Sequence, residues 1–131
     1  MSHGPLSPVC TVLCIEDNPD VFALIQMILG MGSAVQVLGC SQGEQALDFV
    51  REYSPDLILL DLRLPDLPGE DVLRRLKAGE RTRRIPVIVL SADLGTHLSA
   101  HLLELGATQC LKKPFGVADF LEAIEAAADT V

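Results

Sequence analysis

Residues 55–69 read PDLILLDLRLPDLPG, and this segment decides the fold class. It contains an uninterrupted apolar run at residues 57–60, which is typical of a strand that is buried on both faces of a parallel sheet. The run ends at Asp61, and a loop with two prolines and a glycine follows. Apolar residues then recur at helical spacing, as in Val72 and Leu76. The segment therefore predicts a strand, a loop and a helix in succession.

The same strand-and-helix unit repeats along the rest of the chain. Apolar strand candidates lie at residues 9–15, 34–40, 57–60, 86–90 and 108–111, and a segment of helical period follows each one. This alternation predicts a parallel sheet with helices on both faces. The second and fifth strands carry Gln36 and Gln109, so we expect them at the edges. A five-stranded sheet of order 2-1-3-4-5 satisfies this pattern, which makes the predicted fold a flavodoxin-like, doubly wound (βα)5 domain of the α/β class.

Two short motifs predict where the first two helices begin. Asn18-Pro19 combines a capping side chain with a proline at the first helical position. Ser41 and Glu44 have the spacing of a capping box, in which each side chain satisfies a free backbone amide of the other residue. We therefore expect the second helix to be capped by its own sequence.

The composition limits the classes of partner. The chain has 131 residues, of which 49% are hydrophobic, and its 10 Lys and Arg against 18 Asp and Glu give a net charge of -8. This charge argues against nucleic acid or an anionic membrane as a direct partner, since binding to phosphates relies on Lys and Arg. Six of the ten cations lie between residues 74 and 84. We interpret this basic stretch as a solvated helix end, with partner docking as the alternative.

The chain length and a few local sequence features predict the domain organisation and the cellular location. We expect residues 1–8 to be a flexible lead-in and residues 9–131 to form a single domain. The longest apolar window, residues 21–31, is shorter than the ~20 residues that a membrane span needs. Residues 1–8 lack the features of a signal peptide, and the four cysteines form no C-x-x-C pair. These features predict a cytoplasmic protein with reduced thiols, including Cys10 and Cys14.

The residues that follow the strands carry the chemistry. Glu16 and Asp17 follow the first strand, Asp61 the third, Ser91 the fourth and Lys113 the fifth. Because the carboxyl ends of parallel strands share one edge of the sheet, these side chains should meet there. Three clustered carboxylates repel one another unless a cation lies among them. Oxygen ligands without His or Cys favour magnesium, or manganese, over zinc.

A cation beside a carboxylate, a hydroxyl and an amine indicates phosphoryl transfer. The cation and the lysine offset the negative charge of the phosphoryl group, and the hydroxyl of Ser91 donates a hydrogen bond to it. An aspartate can act as the nucleophile and form an aspartyl phosphate. Asp61 lies at the centre of the predicted edge and is the candidate phosphoacceptor.

Four segments in this order carry a resemblance to a known family. They are IEDNP (residues 15–19), PDLILLDLRLPDLPG (residues 55–69), PVIVLSA (residues 86–92) and GATQCLKKPF (residues 106–115). Over residues 9–128 the chain resembles the receiver domain of two-component response regulators. The resemblance implies a phosphorylation-dependent switch in which Asp61 accepts a phosphoryl group from the phosphohistidine of a histidine kinase or of a histidine phosphotransfer protein. It implies a change in the binding of a downstream protein, with no enzymatic activity toward a separate substrate.

The resemblance also implies roles for the neighbouring residues. Asp17 and Asp61 would bind Mg²⁺ through their side chains and Arg63 through its backbone carbonyl, while Glu16 would act nearby, through water. Ser91 stands at the position of the family's Thr or Ser, and Lys113 matches its lysine before proline. Cys110 occupies the position, three residues before the lysine, where the family usually has an aromatic residue that rotates inward on activation. A thiol cannot make that movement, so the usual coupling from the hydroxyl to the aromatic ring is not expected.

Other functions fit the sequence less well. A phosphatase of the haloacid dehalogenase type needs a second aspartate two positions after its nucleophile, where this chain has Arg63. A flavodoxin-like nucleotide-binding protein needs a Gly-, Ser- or Thr-rich loop after the first strand, where this chain has EDNPD. A docking module that is not phosphorylated would not need the complete acidic group with Ser91 and Lys113. His97 and His101 lie four residues apart and could share a metal, but a structural role is favoured.

The sequence is compatible with two kinds of parent protein. The chain is expected to be a free-standing single-domain regulator or the receiver part of a larger protein such as a hybrid sensor histidine kinase. We expect a monomer or a weak homodimer.

Overall fold

The fold is an open, doubly wound α/β sandwich. The computed structural model describes residues 11–31 and 35–128. In chain order its elements are β1 (Thr11–Ile15), α1 (Pro19–Leu29), β2 (Gln36–Cys40), α2 (Gly43–Glu52), β3 (Leu57–Asp61), α3 (Gly69–Ala78), β4 (Val87–Ser91), α4 (Thr96–Glu104), β5 (Gln109–Lys112) and α5 (Val117–Ala128). A short 3₁₀ turn at Thr82–Arg84, which the sequence did not predict, connects α3 to β4.

The sheet has the predicted order. Its five strands are parallel and run β2-β1-β3-β4-β5. Every residue of β3 and of β4 is buried, whereas β2 and β5 lie at the edges and keep partly exposed residues. The fold class and the positions of the strands with glutamines are therefore confirmed. The starts of the first two predicted strands, and the lead-in at residues 1–8, lie outside the described residues.

Each face of the sheet packs a separate core. Alternate side chains of β1 point to opposite faces, so that Val12 and Cys14 join one core and Leu13 and Ile15 the other. The first core contains α1 and α5, and the second contains residues from α2, α3 and α4. The burial on both faces explains why the central strands are continuously apolar. Cys14, Cys40 and Cys110 are free thiols, whereas Cys10 lies outside the described residues.

The first helix begins as predicted. The Asn18 side chain accepts a hydrogen bond from the backbone amide of Asp20 at 2.9 Å, and Pro19 is the first helical residue. This satisfies one of the free amides at the helix start. No helix among the described residues is long and apolar enough to cross a membrane.

The predicted capping box of α2 is wrong. Its N-cap is Gln42, which makes no side-chain capping bond. The amides of Gly43 and Glu44 instead donate to the two carboxylate oxygens of Asp66, at 2.8 and 2.9 Å. The Glu44 side chain pairs with Arg75 on α3. An aspartate from the loop after β3 thus takes the place of the local cap.

Candidate functional site

The register of the central strands brings the first two acidic positions together. Ile15 in β1 lies opposite Leu60 in β3, so the residues that follow, Glu16 and Asp61, are neighbours at one edge of the sheet. Both side chains are buried. Asp17 is exposed at the start of the loop to α1. Glu16, Asp17 and Asp61 each present a carboxylate oxygen, and these three atoms lie within 4.8 Å of one another.

Lys113 reaches this acidic cluster from the end of β5. Its Nζ lies 2.6 Å from Oε1 of Glu16 and 3.5 Å from Oδ1 of Asp61. The backbone amide of Lys113 donates to the carbonyl of Ser91 at 2.8 Å, which extends the pairing of β5 with β4 to the same edge. The peptide bond from Lys113 to Pro114 is cis. One ammonium group therefore contacts two of the three carboxylates in the cluster.

Glu16 is the most buried member of the cluster. Burial raises the pKa of its carboxyl group, the hydrogen bond from Lys113 opposes that rise, and the nearby carboxylate of Asp61 adds to it. The backbone amide of Asn18 donates to the other carboxylate oxygen of Glu16 at 3.2 Å. Both oxygens of Glu16 thus have donors, and its side chain has a fixed orientation.

The loop after β3 orients Asp61. The backbone amide of Arg63 donates to Oδ1 of Asp61 at 3.1 Å, while the Arg63 side chain is exposed. The amide of Gly69 donates to the carbonyl of Leu62 at 2.8 Å and closes the loop. A Cβ atom at Gly69 would overlap the carbonyl oxygen of Asp61. Only glycine allows α3 to begin so close to Asp61.

Ser91 lies at the same edge but has a different partner. It is the last residue of β4, and its side chain is buried. Its Oγ accepts a hydrogen bond from the backbone amide of Asp93 at 3.2 Å. The structure thus brings Ser91 to the predicted edge, with its hydroxyl engaged by the loop that leads to α4.

The donor set of the acidic cluster fits a hard divalent cation. Magnesium binds oxygen ligands at about 2.0–2.1 Å in an octahedron, so two of its ligands are at most about 4.2 Å apart. The three carboxylate oxygens lie within 4.8 Å of one another, so they can converge on one such ion. A single ammonium group leaves the cluster with an excess of negative charge, which a divalent cation offsets.

His97 and His101 of α4 belong to no group of three or more potential metal ligands within the described residues. His101 is exposed and contacts the carboxylate of Glu70 on α3, which also pairs with Arg74. Within the described part of the chain, the one group of three or more potential metal ligands is the acidic cluster. The link between His101 and Glu70 was not predicted, because 31 positions separate the two residues.

Cys110 is half-buried in β5, opposite Val89 of β4. It packs against the core that contains α2, α3 and α4. Burial raises the pKa of its thiol. The side chain at this position is therefore a small, neutral, partly covered group.

Comparisons with known proteins agree with this architecture. Residues 12–125 match the family model described as the response regulator receiver domain. The transcriptional regulatory protein KdpE of Mycobacterium tuberculosis is 40% identical over 116 residues, which are 88% of this chain and 50% of that protein. The chain thus spans about half the length of this relative. The polar-differentiation response regulator DivK of Brucella ovis is 33% identical over 115 residues, 88% of this chain and 93% of that protein.

A solved structure shows the same fold with a metal bound. The receiver domain of a sensor histidine kinase from Pseudomonas aeruginosa, described with a magnesium ion in its active-site cleft, has a TM-score of 0.82 and 30% identity, and covers 92% of this chain and 98% of that one. Receiver domains bind Mg²⁺ at an acidic site and are phosphorylated by histidine kinases or phosphotransfer proteins. The family match, the sheet order and the acidic cluster agree: the chain belongs to the response regulator receiver domain family.

Proposed function

We propose that this domain is a phosphorylation-dependent switch in which Asp61 accepts a phosphoryl group from a phosphohistidine. The observation that carries the proposal is the position of Asp61, whose Oδ1 lies 3.5 Å from Nζ of Lys113 within the cluster of three carboxylates. A nucleophilic carboxylate, a lysine and a hard-cation site within a few ångströms are the parts that phosphoryl transfer needs.

The residues around Asp61 would orient its carboxylate and offset the negative charge of the incoming phosphoryl group. The amide of Arg63 holds Oδ1, which leaves the other carboxylate oxygen of Asp61 as the attacking atom. Lys113 contacts Asp61 and Glu16 at once, so its ammonium group can bind a phosphoryl oxygen without leaving the cluster. Asp17, Asp61 and the carbonyl of Arg63 would hold Mg²⁺ directly, and Glu16, whose two carboxylate oxygens already accept hydrogen bonds from Lys113 and Asn18, would act through water. When bound, Mg²⁺ supplies positive charge that offsets the charge of the phosphoryl group.

Ser91 would connect the phosphoryl group to the surface. Its hydroxyl now pairs with the amide of Asp93 in the loop between β4 and α4. A hydrogen bond from this hydroxyl to a phosphoryl oxygen would require Ser91 to give up that contact. The loop would then rearrange, and the surface at β4 and α4 would change its preference for a protein partner. Cys110 offers no ring to move inward, so the loop itself is the proposed route.

The domain would carry the phosphoryl group rather than catalyse a reaction on a separate substrate. We propose that residues 9–131 form one such unit, acting as a monomer or a weak homodimer. The phosphoryl donor would be a histidine kinase or a histidine phosphotransfer protein.

Incubation with acetyl phosphate or phosphoramidate and Mg²⁺, followed by intact-mass measurement, tests the proposal. We expect one added phosphoryl group on the wild-type chain and none on Asp61→Asn. Asp48→Asn is the matched control, because Asp48 is an exposed aspartate on α2 whose partner is Arg51. Prior chelation of Mg²⁺ should prevent the reaction. Single, stable phosphorylation of Asp61→Asn would refute the assignment.

A further inference from the structure

The loop between β3 and α3 is a tight hairpin. Arg63 and Pro68 pair as an antiparallel bridge, which closes residues 63–68 into one hairpin. At its base the backbone amide of Arg63 donates to Oδ1 of Asp61 at 3.1 Å. The carbonyl of the same residue is the one proposed to bind Mg²⁺. The orientation of Arg63 at the acidic cluster therefore depends on what holds this hairpin in place.

The tip of the hairpin is attached to the start of α2. The carboxylate of Asp66 accepts the amides of Gly43 and Glu44, at 2.8 and 2.9 Å, so both of its oxygens are used. These amides hold the pKa of the Asp66 carboxyl group below its usual value, so the charged carboxylate is the bonded form at neutral pH. Hydrogen bonds to a charged acceptor are stronger than those between neutral groups. Two such bonds to successive amides fix the tip in both position and direction.

The other contacts of the hairpin are apolar. Leu64 and Leu67 are partly buried and pack on the core that contains α2, α3 and α4. Contacts of this kind hold the hairpin on the core, but they are not directional and do not orient its peptide groups. Of residues 63–68, Asp66 alone has a side chain that forms hydrogen bonds within the described part of the chain. It is the polar anchor of the hairpin.

We propose that Asp66 is a positioning residue for the magnesium site, which holds the hairpin on α2 so that the carbonyl of Arg63 stays within reach of the cation. The inference rests on the proposed function, because it makes the affinity of that site for Mg²⁺ depend on a residue outside it. Groups that orient a metal ligand contribute about 10–100-fold to metal affinity. Asp66 acts through the hairpin rather than on the ligand itself, so the lower end of that range applies.

Isothermal titration calorimetry of the full chain with magnesium chloride tests the proposal. We expect Asp66→Ala to raise the Kd for Mg²⁺ by about tenfold. Asp66→Asn keeps one acceptor oxygen and should give a smaller rise. In both variants an excess of Mg²⁺ should restore the rate at which acetyl phosphate phosphorylates Asp61, because only the occupancy of the metal site has fallen.

Two control variants separate positioning from general effects. Thr82→Ala removes the 2.6 Å hydrogen bond from Oγ1 to the carbonyl of Leu76, beyond the other end of α3, so it destabilises the fold without changing the hairpin. Asp20→Ala removes an exposed carboxylate in the first turn of α1 and matches the loss of charge. Both controls should keep the Kd of the wild type, since distant contacts do not orient Arg63 and exposed charges are screened by salt.

Hydrogen exchange in EDTA provides a measurement that does not depend on the metal. The amide of Arg63 is protected by its hydrogen bond to Asp61. Once the tip of the hairpin is released, this amide should open more often. We expect it to exchange faster in Asp66→Ala than in the wild type or in Thr82→Ala. Circular dichroism verifies that each variant retains the fold.

The role of Asp66 would be overturned by an unchanged Kd for Mg²⁺ in Asp66→Ala. An equal rise of the Kd in Thr82→Ala or in Asp20→Ala would also overturn it, since stability or charge alone would then explain the effect. The same exchange rate of the Arg63 amide in Asp66→Ala and the wild type would contradict it as well. If Asp61 of the wild type takes up no phosphoryl group, the proposed switch fails, while the calorimetric comparison still decides the role of Asp66.

Discussion

The ammonium group of Lys113 forms its shorter ion pair with Glu16, at 2.6 Å, and the longer one, of 3.5 Å, with Asp61. The Glu16 side chain is fully buried, whereas Lys113 keeps 18% of its side-chain surface exposed. Lys113 therefore compensates the buried charge of Glu16 and contacts the candidate phosphoacceptor at the same time. The Lys113 side chain is therefore expected to contribute both to the stability of the fold and to the chemistry at Asp61.

Loss of Lys113 should destabilise the domain. Lys113→Ala leaves the buried carboxylate of Glu16 without its cation, and we expect the free energy of unfolding in EDTA to fall by about 1–3 kcal/mol, less than for a fully buried pair because Lys113 is partly exposed. Urea titration measures the change. Arg51→Ala breaks the exposed pair with Asp48 and should cost less than about 1 kcal/mol. Equal losses in the two variants would contradict this role of Lys113.

Magnesium should stabilise the folded domain. A ligand that binds only the folded state adds about 2.7 kcal/mol at a concentration of 100 times its Kd. We expect the Tm to rise with Mg²⁺ in the wild type, and to rise much less in Asp17→Asn, which removes one of the three carboxylates. Without Mg²⁺, Asp17→Asn should be at least as stable as the wild type, because repulsion in the cluster falls. A Tm that does not respond to Mg²⁺ in the wild type would contradict the metal site.

Asp66 should make the stability of the fold depend on pH in the acid range. The amides of Glu44 and Gly43 hold the pKa of its carboxyl group below the usual value. A lowered folded-state pKa means that the stabilisation is present above the unfolded pKa, at pH about 4, and is lost as the pH falls through the folded-state pKa. We expect Asp66→Ala to lower the Tm at pH 7, and the difference from the wild type to shrink below pH about 4.

Asp20→Ala provides a comparison for Asp66, since Asp20 is also an exposed aspartate near a helix start. Its side chain is not the cap of α1, because that role belongs to Asn18. We expect a smaller loss of Tm at pH 7. If Asp66→Ala leaves the Tm unchanged at pH 7, the loop does not cap α2 in solution.

Gly69 should tolerate no side chain. A Cβ atom there would overlap the carbonyl oxygen of Asp61, so Gly69→Ala must displace the loop that orients Asp61. We expect a loss of about 1–3 kcal/mol in the free energy of unfolding, typical of overpacking, and slower phosphorylation by acetyl phosphate. Gly95→Ala is the control, because no atom lies within 4 Å of a Cβ built there. That variant should keep the wild-type rate of phosphorylation.

Much of the site follows from the sequence. The continuous apolar runs mark central strands, the glutamines mark edge strands, and together they give the order of the sheet. The carboxyl ends of parallel strands must meet at one edge, so the residues after them, Glu16, Asp61, Ser91 and Lys113, had to lie close together. No long-range contact needed to be known for this inference.

The partner of each side chain at that edge was decided by the tertiary structure. Lys113 and Glu16 are 97 positions apart, and Asp66 caps a helix that begins 23 positions earlier. Local spacing favoured a capping box at Ser41 and Glu44, but a carboxylate that reaches both free amides at once satisfies them better. The sequence determined which residues gather at the acidic edge through strand periodicity. Only the folded chain decided which of them pair, because hydrogen bonds depend on distances between atoms that the sequence separates.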